Sequence, residues 1–578
     1  MRTWVERFPE RLEHELADFA VRGLEFELDR DQLEEQGRVV LRGRISYAGK
    51  PVPLEVRYPD LFPYLRPEVR APDLKLPRHQ GPYNHNLCLL DPSTRDWDPH
   101  LTGAWLVAVR VPYLLSLLEP GAEEELLEAE TAQGEPASAY FPVLAGTVVF
   151  VPQAALELPP DALAGSGRIA FSVFEPPQIH LRGLVAELVE KKPNRKTRIL
   201  ARAEASLLRR FGAQKVPFRW VRLDQPPETN TMEGIIDAIE SARAGFGSPP
   251  WHAVTGGQVA VSAAVFAEEV RQGEWEDTWL FAVRVRQDDG GETAYPVPGQ
   301  RLSRPDLEER LPSWVRLGGR TVSLVGLGSV GGSLSLELAR SGLSELRGMD
   351  FDTVEAGTTM RWPIGLSAAG RLKVGALGRR IAQDYPYTEF TGTIHRLGQS
   401  AGTTTARQWS ELDILDQFLD GADLVVDASA EIGVQQVLAD EASQRGIPQL
   451  YVSTTEGAMG GLVARVIPGA TGCWMCLQIR IAERSIPAPA ADPRATVQPR
   501  GCGTLTFVGA GFDILPVIAQ GARVAAHLLS ADGDVGREER GDDVFVCSFR
   551  EASPAPPDWS GHPLDPHPDC PVCGGRRA

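Results

Sequence analysis

The stretch of sequence that decides the fold of the C-terminal half is TVSLVGLGSVGGSLSLELARSGLSELRGMDFDTVEAGTTMRWPIGLSAAGRLK, residues 321–373. Its apolar residues 322–325 predict a strand, and the amphipathic pattern that follows to about Arg340 predicts a helix. A second strand ends at Asp350-Phe-Asp352. This order is that of a βαβ unit, so we expect a Rossmann-like domain here.

The turn between the first strand and the helix contains three spaced glycines, Gly326, Gly328 and Gly331. Glycine lets the backbone approach a phosphate closely, and a helix N-terminus offers free N–H groups and a positive dipole end. Asp350 and Asp352 follow about 20 residues on, where a carboxylate would meet a ribose hydroxyl. Taken alone, the pattern predicts a dinucleotide-binding unit and suggests a dehydrogenase.

Two cations further along favour a different reaction. Arg361 and Lys373 are suited to neutralise a triphosphate while a carboxylate attacks its α-phosphate, whereas hydride transfer needs no such pair. The alternative is that both lie on a solvated helix surface. The series of glycine turn, DFD, Arg361 and Gly370-x-x-Lys373 resembles the adenylation motif of the ThiF/MoeB/ubiquitin-activating superfamily. The resemblance implies an ATP and Mg²⁺ site in residues 301–578, in a domain that usually works as a homodimer.

One acidic position departs from that superfamily. Asp427 ends an apolar strand, and we expect its carboxylate to face the nucleotide. Ala430 stands where the superfamily has a second acid, and Glu431 is a carboxylate that could replace it. The ligand of Mg²⁺ is therefore left open.

Four of the seven cysteines form two CxxC pairs, Cys473 with Cys476 and Cys570 with Cys573. Paired CxxC motifs predict a tetrahedral structural zinc site, because two tight turns bring four thiolates together. Two disulfides or free thiols are the alternatives. ThiF- and MoeB-like proteins have such a site in the same relative place, where it would tie the C-terminal tail to the adenylation domain.

Cys502 lies in a Gly-Cys-Gly segment just before a predicted helix at about 511–529. Such a loop leaves a thiol accessible, and the helix N-terminus would lower the pKa of that thiol. In ubiquitin-activating enzymes the thioester-forming cysteine lies downstream of the nucleotide half, as Cys502 does. A buried packing cysteine is the alternative, and this is what we expect of Cys547, which stands in an apolar strand-like run.

Cys88 stands in a separate N-terminal segment. A helix, three strands, a proline-rich turn at 59–69, then Cys88-Leu-Leu-Asp91 and Trp97-Asp-Pro99 precede a further helix. This order resembles ubiquitin-conjugating enzymes over residues 1–120 and implies an α+β domain with a catalytic cysteine. No asparagine stands at the family's offset before the cysteine, and Asn84, Asn86 or a backbone N–H are the alternatives for the oxyanion donor. The alternative is an inert thiol in a protein-binding domain of the same fold.

The remaining segments are less specific. Residues 121–139 are acidic and predict a linker, and residues 140–300 predict an α/β middle domain without a recognisable catalytic cluster. The basic stretch 191–222 is interpreted as a solvated helix face or as a docking surface for an acidic protein. The net charge of −18 argues against general nucleic-acid binding. We found no signal peptide and no apolar run of about 18 residues, so a cytoplasmic protein without a membrane span is expected.

Together the motifs predict an α/β multidomain protein that resembles a fused conjugating and activating enzyme of a bacterial ubiquitin-like pathway. Its domain order is similar to that of the fusion in type II CBASS anti-phage operons. That resemblance implies activation, with MgATP, of the C-terminus of a ubiquitin-like protein or a cGAS-like nucleotidyltransferase. Thioester transfer from Cys502 to Cys88 and conjugation to a target protein would follow. A sulfur-carrier adenylyltransferase with an N-terminal docking domain and a nucleotide-binding scaffold are the alternatives.

Overall fold

The structure is a computed structural model of the 578-residue chain. It describes residues 4–47, 49–76, 78–90, 96–116, 135–175, 180–191, 197–212, 214–242, 248–254, 257–271, 273–287, 290–398, 410–498, 506–530, 541–550 and 553–574. The chain divides into two compact units, one of residues 1–204 with 211–302 and one of residues 205–210 with 303–578. Each unit is considered by itself.

The first unit begins with an α+β region built on an antiparallel meander, β1 to β4 in sequence order. Its strands are β1 Phe26–Leu28, β2 Val40–Tyr47, β3 Lys50–Arg57 and β4 Glu68–Arg70. Its helices are Trp4–Arg7, Pro9–Val21, Arg30–Gln36 and the composite helical segment Gly103–Ser116, whose middle turn is a π-helix. The first helix, predicted as continuous, is divided before Pro9, because proline has no N–H to donate and favours the first turn of a new helix.

The rest of the first unit is a closed β-barrel. Seven strands form the ring β11-β12-β13-β5-β7-β6-β9, and β9 pairs with β11 to close it. The ring strands are β5 Val148–Pro152, β6 Ala164–Glu175, β7 His180–Lys191, β9 Lys215–Arg222, β11 Gly257–Arg271, β12 Glu274–Gln287 and β13 Glu292–Leu302. Two further strands, β8 Thr197–Arg202 and β10 His252–Val254, pair with β7 and β11.

The prediction of an α/β middle domain is therefore wrong. One buried cluster of this barrel includes Phe218, Trp220, Trp279 and Phe281, and the Trp279 and Phe281 rings stack at 5.7 Å. A second cluster joins alternate residues of the same strands to the helix Met232–Ala242. Strands buried on both faces give continuous apolar runs, so their sequence does not distinguish a barrel from an α/β sheet.

The basic stretch 191–222 is also not a helix face. Within its described part it forms β8, β9 and the short helix Ala205–Leu208. Arg222 donates from two nitrogens to the Asp277 carboxylate, at 2.5 and 2.8 Å, and Arg202 pairs with Glu187. These two arginines make ion pairs within the barrel, and the interpretation of the stretch as a docking surface stays a prediction.

The second unit contains an eight-stranded sheet in the order β16-β15-β14-β17-β18-β19-β22-β23. Its strands are β14 Thr321–Val325, β15 Glu345–Met349, β16 Glu389–Thr393, β17 Leu424–Asp427, β18 Gln449–Thr454, β19 Gly460–Val466, β22 Val544–Ser548 and β23 Asp558–His562. The first five are parallel and the last three antiparallel. A separate pair consists of β20 Thr496–Val497 and β21 Thr506–Phe507.

Helices flank the parallel part, as the Rossmann-like prediction requires, and that prediction is confirmed. They are Arg304–Glu308, Ser329–Arg340, Lys373–Asp384, Glu411–Leu419, Ile432–Gln444, Trp474–Ala482 and Gly511–Leu529. The strand order reverses direction between β14 and β17. In open α/β sheets, ligands bind at the carboxyl ends of the strands beside such a switch point.

Among the described residues, the helix Gly511–Leu529 is long and apolar enough to cross a membrane by length and composition. The sequence, which has no apolar run of about 18 residues, predicts no such segment. Residues along it, among them Val517 and Ala525, are buried in the main core of the unit together with residues of β18 and β19. We therefore assign this helix to the core, whose apolar surroundings select the same composition as a membrane.

Candidate functional site

The glycine turn lies at the carboxyl end of β14 and accepts only glycine at two places. Gly326 has φ +87°, and a Cβ on it would lie 2.6 Å from the Ser429 nitrogen. A Cβ on Gly331 would lie 1.8 Å from the Gly326 carbonyl oxygen. Gly328 precedes the first residue of the helix Ser329–Arg340, which has no side-chain cap at its N-terminus. The free N–H groups of that first turn are suited to bind an anion.

Asp350 fixes the shape of this turn. The Leu327 nitrogen donates to its Oδ2 and the Asp352 nitrogen to its Oδ1, both at 2.8 Å. Asp350 itself is 8% exposed. Its two oxygens therefore join the glycine turn to the loop after β15, so the carboxylate is a rigid element of the site.

Asp352 and Lys373 form the charged edge of the site. The Lys373 Nζ lies 2.8 Å from the Asp352 Oδ2 and 3.9 Å from the Asp350 Oδ2. The Asp352 side chain is 51% exposed, so its carboxylate remains open to a ligand. The lysine begins the helix Lys373–Asp384, and its own N–H donates to the Asp352 carbonyl at 3.0 Å.

Asp427 ends β17 beside the glycine turn. The Ser429 hydroxyl and N–H and the Gln435 amide donate to its carboxylate, at 3.0 to 3.4 Å. Burial raises the pKa of Asp427 to about 6, and these hydrogen bonds act in the opposite direction. Ala430, at the altered acidic position, has φ +59°, and the exposed Glu431 precedes the helix Ile432–Gln444.

The Arg361 side chain makes its described contacts with residues outside this group. It donates to the Thr506 hydroxyl at 2.5 Å, and its guanidinium lies 4.4 Å from the centre of the Phe507 ring. Its buried Nε has no hydrogen-bond partner within the described part of the chain. Burial lowers the pKa of Arg361 from its ordinary value.

Trp362 connects Arg361 to the glycine turn, and the sequence analysis missed it. Its indole N–H donates to the Leu327 carbonyl at 2.9 Å, and its ring is buried. Leu327 is thus held at its nitrogen by Asp350 and at its oxygen by Trp362. A large aromatic residue directly after the candidate arginine was the only signal in the sequence.

The structure brings most of the predicted nucleotide-binding residues to one place. The glycine turn, Asp350, Asp352 and Lys373 are joined by hydrogen bonds and an ion pair. Asp427 is adjacent through Ala428 and Ser429, which lie against Gly326. Only the Arg361 side chain points to different partners. This grouping of glycines, carboxylates and an ammonium is suited to a nucleotide with several phosphates.

Four cysteines form a second cluster. The sulfurs of Cys473, Cys476, Cys570 and Cys573 lie within 4.8 Å of one another. Three of the separations are 3.8, 3.6 and 3.2 Å. Zinc bonded to four thiolates at about 2.3 Å would separate the sulfurs by about 3.8 Å, so the residues fit that ion. All the described cysteines are free thiols, which excludes disulfides between these four in the structure.

The tail that contains the second cysteine pair is attached by more than this cluster. It supplies β23, which pairs with β22 at the edge of the sheet. The fully buried Asp543 pairs with Arg465 at 3.0 Å and accepts from the Leu564 nitrogen at 3.0 Å. These contacts bring Cys570 and Cys573 to the start of the helix Trp474–Ala482.

The Cys88 thiol lies in the first unit against a carboxylate that the sequence analysis missed. The thiol donates to the Glu135 Oε1 at 2.8 Å, and the Tyr140 hydroxyl donates to the Glu135 Oε2 at 2.9 Å. Burial and the Glu135 carboxylate raise the pKa of Cys88 to about 12. Glu135 belongs to the predicted acidic linker, whose residues 121–134 lie outside the described residues. Its acidic neighbours gave no signal for a specific contact.

The asparagines before Cys88 hold the loop together. The Asn84 Oδ1 accepts from the Asn86 nitrogen at 3.0 Å, and the Asn86 Oδ1 accepts from Arg70 at 2.8 Å. The Cys88 nitrogen donates to the His79 carbonyl. Both asparagine oxygens are therefore engaged, that of Asn84 within the loop and that of Asn86 with β4.

Of the last two cysteines, Cys502 and Cys547, the structure describes only Cys547. Cys502 lies outside the described residues, so its role stays a prediction. Cys547 is completely buried in β22 and belongs to the core, as predicted.

The protein y4oA of Sinorhizobium fredii is 30% identical in an alignment of 597 positions, gaps included, that covers 99% of this chain and 98% of y4oA. This chain belongs to the y4oA family. Within this y4oA-family protein, residues 312–527 match the ThiF family and are a ThiF-family domain. They include the glycine turn and all the nucleotide-binding candidates.

Two more distant likenesses concern parts of the chain. The ubiquitin-like modifier-activating enzyme 5 of Oryza sativa subsp. japonica is 24% identical over 183 residues, 31% of this chain and 41% of the rice protein. A crystal structure of E. coli MccB with ATP is 15% identical with a TM-score of 0.33, over 47% of this chain and 70% of that chain.

Proposed function

We propose that this protein activates the C-terminal carboxylate of a protein substrate by adenylation with ATP. The observation that carries the proposal is the convergence of the glycine turn, Asp350, Asp352 and Lys373 at the switch point of the sheet. This combination provides anion-binding N–H groups, a rigid carboxylate, an exposed carboxylate and an ammonium in one crevice. The ThiF-family match and the name of the rice relative support the same chemistry.

In the proposed reaction, a substrate carboxylate oxygen forms a bond to the α-phosphorus of ATP. The bond from that phosphorus to the bridging oxygen breaks, and pyrophosphate leaves with the electron pair. The helix N-terminus after Gly328 and the Lys373 ammonium stabilise the negative charge on the phosphates. Asp350 holds the turn in shape while the exposed Asp352 remains available to a ribose hydroxyl or to Mg²⁺. Asp427 and Glu431 are the other carboxylates suited to hold that cation.

The later steps are proposed from the two isolated cysteines. Cys502 takes the acyl group from the adenylate and releases AMP, and Cys88 then takes it from Cys502 by thioester exchange. A target amine completes the transfer. A ubiquitin-like protein or a cGAS-like nucleotidyltransferase remains the proposed acyl substrate, and a homodimer through the ThiF-family domain the proposed assembly. The cysteine cluster would hold zinc in a structural role.

A second candidate function rests on the environment of Cys88. Its thiol is hydrogen-bonded to Glu135, and its pKa is raised to about 12, which disfavours the thiolate needed for acyl transfer. This observation favours a sulfur-carrier type of adenylyltransferase in which the N-terminal domain only docks a partner. The adenylation step is common to both functions.

The test of adenylation is exchange of radiolabelled pyrophosphate into ATP, with a ubiquitin-like or cGAS-like protein encoded beside the gene as substrate. Exchange should require the intact C-terminus of that substrate. Lys373→Ala should abolish most of it, whereas Arg379→Ala, an exposed residue of the same helix, should not. Equal exchange by both variants would disprove the assignment of the site.

A further inference from the structure

We propose that Glu135 is a second functional residue of the Cys88 site. Its carboxylate, held in place by the Tyr140 hydroxyl, keeps the Cys88 thiol protonated and blocks its sulfur until the carboxylate is displaced. The consequence for acyl transfer rests on the proposed role of Cys88 as an acyl carrier, but the control of thiol reactivity does not. Glu135 lies in the segment 121–139, which the sequence predicts to be an acidic linker.

The geometry is a chain of three polar groups. The Cys88 sulfur donates to one oxygen of Glu135 at 2.8 Å, and Tyr140 donates to the other at 2.9 Å. Because both oxygens are engaged, the carboxylate is fixed in orientation and directed at the sulfur. A carboxylate is only an acceptor when ionised, so the proton of this hydrogen bond belongs to the thiol.

Burial and the neighbouring carboxylate both raise the pKa of the Cys88 thiol, and one cation lowers it. Removal of the thiol proton would place a negative sulfur beside the negative Glu135, in a half-buried site that already disfavours charge. Arg66 is the cation that opposes this effect. The Tyr140 hydroxyl is also near, and the pKa of Tyr140 is raised by burial and by Glu135, so it stays protonated at neutral pH.

Tyr140 is itself well anchored. Its backbone carbonyl accepts from the Asn230 amide at 2.8 Å, and its ring packs edge-on to Tyr83 with centroids 6.3 Å apart. The Ser138 nitrogen, between Glu135 and Tyr140 in sequence, donates to the buried Glu268 at 2.9 Å. The segment 135–140 is therefore held by the barrel, which places the carboxylate on a fixed support.

Displacement of Glu135 has a defined chemical result. The thiol can then lose its proton to water, and the thiolate can attack an electrophilic carbon. With iodoacetamide, the sulfur forms a bond to the methylene carbon, the carbon–iodine bond breaks and iodide leaves. The rate of this reaction follows the thiolate fraction, which changes about tenfold for each unit of thiol pKa.

The experiment is alkylation of the full-length chain with iodoacetamide at pH 8, with Cys88 modification followed by peptide mass spectrometry. Glu135→Ala should raise the rate at Cys88 at least tenfold. Glu135→Gln should raise it less, because the amide oxygen still accepts the hydrogen bond but has no charge. Tyr140→Phe, which keeps the ring, should give a smaller increase by releasing one oxygen of Glu135. Glu13→Ala, at an exposed glutamate of the helix Pro9–Val21, is the matched control.

The pH profile separates this role from general loosening of the domain. In the wild type, the logarithm of the rate should rise with pH without a plateau up to pH 10, whereas in Glu135→Ala it should level off at a lower pH. Wild-type rates in both Glu135 variants would overturn the proposal, as would the same increase in Glu13→Ala. No ATP or acyl substrate is present, so failure of the proposed adenylation would leave this result unchanged.

Discussion

The Lys373 ammonium lies 2.8 Å from the Asp352 carboxylate at the N-terminus of the helix that the lysine begins. A cation is unfavourable at that end of a helix, because the dipole there is positive. Asp352 and the more distant Asp350 offset this cost in the absence of a ligand. A triphosphate would compete with these carboxylates for the ammonium, so the ion pair holds Lys373 ready at the edge of the glycine turn.

The first prediction follows from this arrangement. Lys373→Ala should lower pyrophosphate exchange by roughly 10²–10³-fold, because a charged group that stabilises a transition state contributes a few kcal/mol. The melting temperature should change little, since the variant also removes an unfavourable cation from a helix N-terminus. Arg361→Ala should lower exchange to a similar extent, although in the structure Arg361 contacts Thr506. Exchange at the wild-type rate in either variant would contradict the assigned role.

The second prediction concerns the buried Asp427. Burial raises its pKa from 3.8 to about 6. Between about pH 4 and pH 6 the folded state therefore keeps a proton that the unfolded state has already lost. The associated stability is complete below about pH 4 and is lost as the pH rises through about 6. Asp427→Asn removes this loss, and it should make the protein more stable than the wild type above pH 6, by at most about 3 kcal/mol.

The measurement is the melting temperature of the wild type and of Asp427→Asn between pH 4 and pH 8. The difference between the two should shrink towards pH 4, where the wild-type carboxyl is protonated. Asp440→Asn, at an exposed position of the helix Ile432–Gln444, is the control and should show no such trend. If the difference in melting temperature between the wild type and Asp427→Asn did not depend on pH, the prediction of a raised pKa for Asp427 would be wrong.

The third prediction concerns the four-cysteine cluster. Protein purified without chelator should contain about one zinc ion per chain, as four thiolates bind one tetrahedral ion. Cys570→Ser should lose the metal and make the tail after the exposed Arg550 more accessible to trypsin, because only the β23 strand pairing and hydrogen bonds such as that from Leu564 to Asp543 would then hold it. Cys547→Ala, at a buried cysteine outside the cluster, should retain zinc. Zinc-free protein with all four thiols reduced would exclude the site.

The spacing of motif residues in the sequence was enough to predict those site residues that lie close together along the chain. The glycine turn, Asp350 and Lys373 lie within one βαβ unit and the loop after it, so strand and helix periodicity placed them together. The two CxxC pairs are 97 residues apart, but their chemistry needs four ligands at one ion, which supplied the missing long-range information. In the second case a known requirement of the ligand replaced knowledge of the fold.

The contacts that escaped prediction are long-range and have no such requirement. Glu135 is 47 residues from Cys88, and Thr506 is 145 residues from Arg361. A glutamate in an acidic segment looks the same whether it is solvated or bonded to a thiol. Closure of the barrel depends on the pairing of β9 with β11, which no local pattern of apolar residues specifies.

The last prediction separates the conjugating function from the sulfur-carrier type. If the two cysteines carry the acyl group in series, Cys502→Ala should abolish the thioester at both, because the adenylate then has no thiol to reach first. Cys88→Ala should leave pyrophosphate exchange and the Cys502 thioester intact but prevent the conjugate. Glu135→Ala should still form the conjugate and should load Cys88 faster than the wild type.

The assay is a non-reducing gel with MgATP and the candidate substrate, with each band tested for loss under excess thiol. Conjugation by Cys88→Ala at the wild-type rate would show that the N-terminal region is a docking domain. Glu135 would then control the reactivity of a thiol that carries no acyl group.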